Sequence, residues 1–385
     1  MTWDVVGQER ALALLRGAIE DETRLSHAYL FVGPEHVGRA TTARRFAQAL
    51  NCERGTPNPV AEINGQAGRP GLPDMGALPD GQAERPGLPD AGEPPCGECR
   101  SCRRIADDKH PDVELLGVGG VCDESEHRDH GADNSRDIRI CQVRRLERIV
   151  NLTPFEGRYR VVIVDPADAM TVEAANAFLK TLEEPPPHVV LVLVTAREEA
   201  LRETVRSRCR RMVFLGVPRA EIEAALVERW GADGELAARL ARLAQGRLGW
   251  AVAALQDERL LAERERVVGE IEALLAGGYA ERFSYAGSLG ARFSREPQVV
   301  RDTLELWRAW WRDVLLAAAG REQLAIEGDR LDTLRSQAAQ YGVEGALQAL
   351  TALTNARRHL EEHASPTLAL EAMLLELPEK AGRRR

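Results

Sequence analysis

The sequence predicts an α/β core, a mostly parallel sheet with helices on both faces, followed by a small helical domain and a larger all-helical one. Three observations predict it. Short apolar runs at Ala28–Val32, Val113–Leu116, Val161–Val164, Val189–Val194 and Met212–Leu215 are the length of buried strands, and helical patterns separate several of them. The first run ends in glycine and leads into a second glycine, Gly33 to Gly38, as a parallel strand feeding a phosphate loop does. Beyond Pro218 the chain is dominated by Ala, Leu, Glu and Arg, with no convincing strand.

In chain order, Ala28–Val32 is the first strand. Ala43, Phe46, Ala47 and Leu50 then share one face of a helix at i, i+3, i+4 and i+7. Residues 55–95 break the rhythm: G-Q-A-G-R-P-G-L-P-D at 65–74 returns as G-Q-A-E-R-P-G-L-P-D at 81–90, and this composition cannot bury a core, which predicts a disordered insertion. A Gly-, Asp- and His-rich stretch at 117–137 predicts a second exposed loop. The α/β core is expected over 1–217, a helical domain over 218–277 and a further one over 278–385, with a linker near Gly277–Phe293. In the last, Leu304, Trp307, Trp311, Val314 and Leu315 follow helical spacing. Ser365-Pro366 is a helix-opening pair, and Leu370, Met373, Leu374 and Leu377 form an apolar stripe.

With 44% hydrophobic and 29% charged residues the 385-residue chain reads as globular. No apolar run reaches the roughly 20 residues that span a bilayer, so no membrane partner is expected. The start M-T-W-D-V-V-G has no export signal, which predicts a cytoplasmic location. A formal net charge of −9 argues against a free-standing nucleic-acid binder.

The loop Gly33–Thr41 reads G-P-E-H-V-G-R-A-T, against the phosphate-loop pattern G-x-x-x-x-G-K-[ST]. Gly33 and Gly38 keep the spacing, but Arg39 stands where lysine would reach the phosphates and Ala40 where a hydroxyl would hold magnesium. Thr41 is one position late, and a helix turns it about 100° away. Asp165 closes the run V-V-I-V-D, where a second magnesium ligand would sit, yet its neighbour is Pro166 rather than a water-activating glutamate. The site is read as degenerate, with ATP and magnesium not expected to be turned over by this chain.

Cysteines stand at 52, 96, 99, 102, 122, 141 and 209. An odd, clustered set in a chain without an export signal points to metal rather than disulfides. Cys96-x-x-Cys99-x-x-Cys102, with Cys52 after the predicted helix, offers four thiolates in the pattern zinc favours, closed and therefore structural. Extending the 43-residue interval between Cys52 and Cys96 costs slowly increasing entropy. Cys122, Cys141 and Cys209 are expected to be spare, the last one buried. Arg208, in R-S-R-C, can stabilise charge developing on a transferred phosphoryl group. One arginine among many takes its meaning from the motif around it.

Several strings together resemble bacterial clamp-loader subunits of the AAA+ class: H-A-Y-L-F-V-G-P at 27–34, the cysteine cluster, H-P-D at 110–112, A-N-A-F-L-K-T-L-E-E-P-P at 175–186, R-S-R-C at 206–209 and S-P-T-L-A-L-E-A-M-L-L-E-L at 365–377. The resemblance implies a pentameric loader of the DNA polymerase III holoenzyme, which opens a ring-shaped sliding clamp and places it on primed DNA. It implies gamma/tau and delta subunits as partners, a non-hydrolysing stator role for a chain with these missing groups, and Arg208 as a finger reaching a neighbour's ATP. It further implies zinc at Cys52, Cys96, Cys99 and Cys102, a helical lid at 218–277 and an oligomeric collar in the last domain. The family's second nucleotide sensor carries an arginine where A-Q-G-R-L-G-W-A at 244–251 has Gly249. An active gamma/tau-type ATPase, or a zinc-containing interaction module on an AAA+ shell, remain as alternatives.

Overall fold

The computed structural model describes residues 3–54, 94–123, 136–362 and 364–378. The repeats at 65–74 and 81–90 and the centre of the 117–137 stretch lie outside the described residues. The chain divides into two compact units, 1–222 with 246–249, and 223–245 with 250–385.

The first unit runs α1 (Glu9–Glu20), β1 (Ala28–Val32), α2 (Arg39–Leu50), α3 (Arg100–Ala106), β2 (Val113–Leu116), α4 (Ile140–Val150), β3 (Arg160–Val164), α5 (Val172–Glu183), β4 (Val189–Thr195), α6 (Glu203–Arg206) and β5 (Arg210–Val213). The strands form one parallel sheet in the order β2-β3-β4-β1-β5. Every residue of β1, β3 and β4 is buried, as strands covered on both faces must be. Alternation assigns the side chains to two cores. Tyr29, Phe31, Val161, Ile163, Val190 and Val192 pack on one face against Leu15 of α1 and Ala43, Phe46, Ala47 and Leu50 of α2. Leu30, Val32, Val162, Val164, Leu191 and Leu193 pack on the other against Val143 and Leu146 of α4 and Phe178 of α5. The chain enters α5 through Thr171, whose hydroxyl accepts the N–H of Ala174 at 3.2 Å.

β5 starts earlier than the apolar run Met212–Leu215 suggested. It is an edge strand paired to β1 alone, and Arg210 and Arg211 carry ladder positions with exposed side chains. Edge strands tolerate charge there, so apolarity marks this strand poorly.

The remaining helices are α7 (Arg219–Trp230), α8 (Gly234–Ala244), α9 (Leu248–Gln256), α10 (Glu258–Ala276), α11 (Tyr279–Arg295), α12 (Pro297–Ala318), α13 (Leu331–Glu361) and α14 (Pro366–Glu376). The core of the second unit holds Val267, Ile271, Leu274, Trp307, Trp310, Trp311, Val314, Leu370, Met373, Leu374 and Leu377. Trp307 stacks on Tyr285 with centroids 5.6 Å apart and donates its indole N–H to the Val267 carbonyl at 3.2 Å, so its polar tip is satisfied inside the core. Leu315 only borders this core. Ser365 caps α14 without a side-chain bond, leaving Pro366 to set the start.

The linker expected at Gly277–Phe293 is a correction: those residues are almost entirely helix α11, and only Gly277 and Gly278 separate it from α10. The small residues that suggested a linker, such as Ala286 and Gly290, lie buried where α11 meets α14, and a Cβ on Gly290 would stand 2.9 Å from the Thr367 Cα.

Candidate functional site

The phosphate-loop backbone is retained. Gly33 leaves β1 at φ 159°, and a Cβ there would lie 2.3 Å from the carbonyl oxygen of Phe214, so only glycine fits. Gly38 caps α2 in the left-handed region at φ 101°. The helix N-terminus that would face an anion is therefore built.

The side chains around it differ from those a phosphate site uses. Arg39 is buried at 8% exposure, and its Nη1 has no hydrogen-bond partner. Burial pushes its guanidinium pKa down, opposed by the charges of Asp165, Glu35 and Asp168. Asp165, just past the end of β3, has its carboxyl pushed up by burial, with Arg39 and Arg44 opposing. Asp168 is committed elsewhere: it accepts from the Thr195 hydroxyl at 2.7 Å and from Arg197 at 2.6 and 2.9 Å. Thr41 is exposed, and the Thr42 hydroxyl is spent on the Gly38 carbonyl at 2.8 Å. Gly249, which packs with the first unit, donates its N–H to the His36 carbonyl at 2.8 Å, and a Cβ on it would meet that oxygen at 3.1 Å. The position expected of a sensing arginine is thus pressed against the loop itself.

The four thiol groups of Cys52, Cys96, Cys99 and Cys102 lie within 4.8 Å of one another, and all four residues are buried. Backbone N–H groups of Cys99 and Cys102 point at the sulfurs of Cys96 and Cys99, each at 3.3 Å, while Cys99 caps α3. The Cys52 thiol is pushed down to about 4, chiefly by a hydrogen bond from Cys102, and Cys102 is pushed up by the same contact. Sulfurs so close share protons, and a metal ion that replaces those protons relieves the crowding. Four thiols with no fifth ligand leave no open position, so the set can hold a metal structurally and cannot activate water.

A buried polar brace joins this module to the sheet. Gln48 donates to the Cys102 carbonyl at 2.7 Å. His110 accepts the Asp112 N–H on Nδ1 at 3.1 Å, which leaves the proton on Nε2 to face the Ser101 hydroxyl at 3.0 Å. Burial pushes the His110 pKa down, against the nearby Glu156 charge. With Nε2 protonated, the imidazole is no base for Ser101. Asp112, fully buried, accepts the N–H groups of Phe155, Glu156 and Gly157 at 2.7, 2.8 and 2.7 Å and pairs with buried Arg160 at 3.1 Å. Sequence reasoning used H-P-D only as a resemblance. The rule that a buried carboxylate is held by several donors was the signal available.

Arg208 follows α6 on the turn into β5. Its Nη2 pairs with Glu183 at 2.6 Å and its Nη1 donates to the Thr204 carbonyl at 2.8 Å. Glu183, the last residue of α5, was not singled out in the sequence. β1 and β5 are parallel neighbours, with Tyr29 opposite Arg210 and Val32 opposite Val213. The phosphate loop leaves the C-terminal end of β1 and Arg208 precedes the N-terminal end of β5. At 3.3 Å per residue the two are about 20 Å apart along the sheet. Of the cysteines expected to be spare, Cys122 and Cys141 touch: burial raises the Cys141 thiol, with a hydrogen bond to Cys122 adding to it. Cys209 is partly buried, its thiol pushed up to about 12 by desolvation.

A family model described as DNA polymerase III, delta subunit, matches residues 7–64 and 87–217. The DNA polymerase III subunit delta' of Bacillus subtilis (strain 168) is 26% identical over 373 residues, covering 97% of this chain and 96% of that protein. The subunit of the same description from Pseudomonas aeruginosa is 33% identical over 184 residues, covering 48% of this chain and 42% of that one. The gamma/tau subunit of Mycobacterium tuberculosis (strain ATCC 25618 / H37Rv) is 28% identical over 377 residues, covering 88% of this chain but 54% of the relative, so the chain spans about half the length of that larger protein.

Proposed function

This chain belongs to the delta-prime family of DNA polymerase III clamp-loader subunits, and from that premise we propose that it is the loader's non-hydrolysing member, a stator that lends Arg208 to the ATPase beside it. As a clamp-loader subunit it serves DNA replication. Its partners on this reading are the gamma/tau and delta subunits, with the sliding clamp and primed DNA as the substrates of the whole complex, in the cytoplasm. No described helix is long and apolar enough to cross a membrane.

The observation that carries the reading is the disposition of the two motifs. The loop has its glycines but Arg39, Ala40 and Pro166 in place of lysine, hydroxyl and glutamate, while Arg208 lies at the other end of β5 from that loop. An arginine so placed has no route to its own chain's phosphate site and suits a nucleotide held by a neighbour. Such a trans-acting arginine contributes about 10³–10⁵ in rate.

The Cys52, Cys96, Cys99 and Cys102 set suits zinc, which would tie the end of α2 to α3 without entering any chemistry. Residues 1–217 are the AAA+ core in this reading, 218–277 the lid and 278–385 the collar through which subunits assemble.

The test is ATP turnover by the loader reconstituted with its motor and clamp-opening subunits, clamp and primed DNA, comparing wild type with Arg208→Ala. Assembly should survive, and turnover should fall at least about tenfold. Unchanged turnover in an intact complex would falsify the trans-acting role.

A further inference from the structure

Six arginines lie between residues 197 and 211, and five of them are engaged. Arg197 holds Asp168, Arg202 donates to Asn176 at 2.8 Å, Arg210 donates to the Arg24 carbonyl at 3.0 Å, and Arg211 grips both oxygens of Glu198 at 2.7 and 2.8 Å. Arg208 is held by Glu183 and Thr204. Among the described residues, Arg206 is the exception: its guanidinium makes no hydrogen bond or ion pair, and its Nε is buried with no acceptor. Glu198 feels its charge, but both oxygens of that carboxylate are already occupied by Arg211.

A buried donor without an acceptor is destabilising, and a native fold that keeps one calls for a reason. Arg206 ends α6, two residues before Arg208, on the turn that the trans-acting reading assigns to the neighbour's nucleotide. Arg208 must leave an ion pair to reach outward, whereas Arg206 has none to break. A guanidinium presents five N–H donors in a planar fork that matches phosphate oxygens.

We propose that Arg206 is a second phosphate-binding arginine of this subunit, acting beside Arg208 on the triphosphate bound by the adjacent ATPase subunit. The proposal rests on the trans-acting reading of the turn and extends it from one guanidinium to two. Two cations facing one triphosphate can divide the work: one meets charge that is present in the ground state, the other charge that grows in the transition state.

The experiment uses the reconstituted loader with Arg206→Ala, Arg206→Lys and Arg208→Ala, and follows turnover against ATP concentration with clamp and primed DNA present. Assembly is checked by size exclusion and folding by the thermal midpoint of the isolated subunit. Arg206→Ala should lower kcat/KM at least about tenfold with assembly and midpoint retained. Arg206→Lys should recover part of the loss, since it restores charge without the planar fork. A normal kcat/KM in Arg206→Ala alongside a depressed one in Arg208→Ala would overturn this proposal and leave the single-arginine reading standing. Normal values in both would remove the trans-acting reading itself. Loss of assembly or of the thermal midpoint in both Arg206 variants would make the residue structural and likewise overturn the proposal.

Discussion

The phosphate loop and the Glu203–Cys209 turn flank the same pair of strands from opposite ends, and on the proposed reading they keep opposite halves of a nucleotide site. At the loop the backbone survives: Gly33 and Gly38 hold conformations that admit little else, and α2 still opens on a free N-terminus. Its side chains have turned inward, with Arg39 buried between acidic neighbours and Gly249 bonded to the loop carbonyl. At the turn the backbone is an unremarkable single helical turn, while the side chains are cationic and partly exposed. A strand–loop–helix is needed to fold the sheet whether or not a ligand binds. A guanidinium outside the core contributes little to the fold, and on the proposed reading Arg208 owes its presence to a nucleotide outside the chain. On that reading folding preserves one region and function the other.

Removing the metal proposed for the cysteine module should have the largest effect. Apparent binding free energies of about 10–16 kcal/mol are known for structural zinc in small peptides, and here that energy would hold α3 to the end of α2. Metal analysis should find one zinc per chain, and chelation or Cys99→Ser should expose residues 94–110 to protease while the sheet persists. A metal-free preparation with the same protease pattern would rule the site out. Next comes Asp112→Ala, which strips buried Arg160 of its counter-charge, leaving it only the Leu152, Pro111 and Thr153 carbonyls, and orphans three N–H groups at once. Breaking a buried pair costs about 3–5 kcal/mol, readable as a lowered urea midpoint. A shift under about 1 kcal/mol would mean that the brace is not holding the fold.

Glu183→Gln sharpens the comparison at the turn. The Arg208–Glu183 pair has partner side chains 35% and 49% exposed, so its removal should change stability by no more than about 1 kcal/mol. It should leave turnover of the reconstituted loader equal or higher, because Arg208 is released. A marked fall in turnover would show that Glu183 aims Arg208 rather than restraining it. The smallest expected effect is none at all. Arg39→Lys with Ala40→Thr restores the loop motif, yet the isolated chain should still turn over no ATP, since Pro166 offers no base for water. Measurable turnover by that double variant would return the active-ATPase reading to contention.

The sheet was legible because its central strands are continuous apolar runs, and β1 and β2 fall where the runs placed them. β5 was displaced because an edge strand need not be apolar. The cysteine quartet was legible from spacing alone, since Cys-x-x-Cys fixes local geometry and only Cys52 had to be brought from afar. The Arg208–Glu183 pair and the Asp112 brace were not. They join residues 25 to 48 positions apart through contacts that exist only once the chain has folded. Composition near 277–293 suggested a linker because small residues serve close helix packing as readily as they serve loops.

The meeting of Cys52 and Cys96 has a consequence for engineering. Both ends of the interval between them are anchored at one point, so its length is uncoupled from the register of everything that follows. Replacing the 43 intervening residues by about ten changes the loop-closure free energy by only about 1 kcal/mol. The interval is therefore a port at which a fluorophore, an affinity handle or a whole reporter domain can be inserted without displacing the nucleotide loop or the arginine turn.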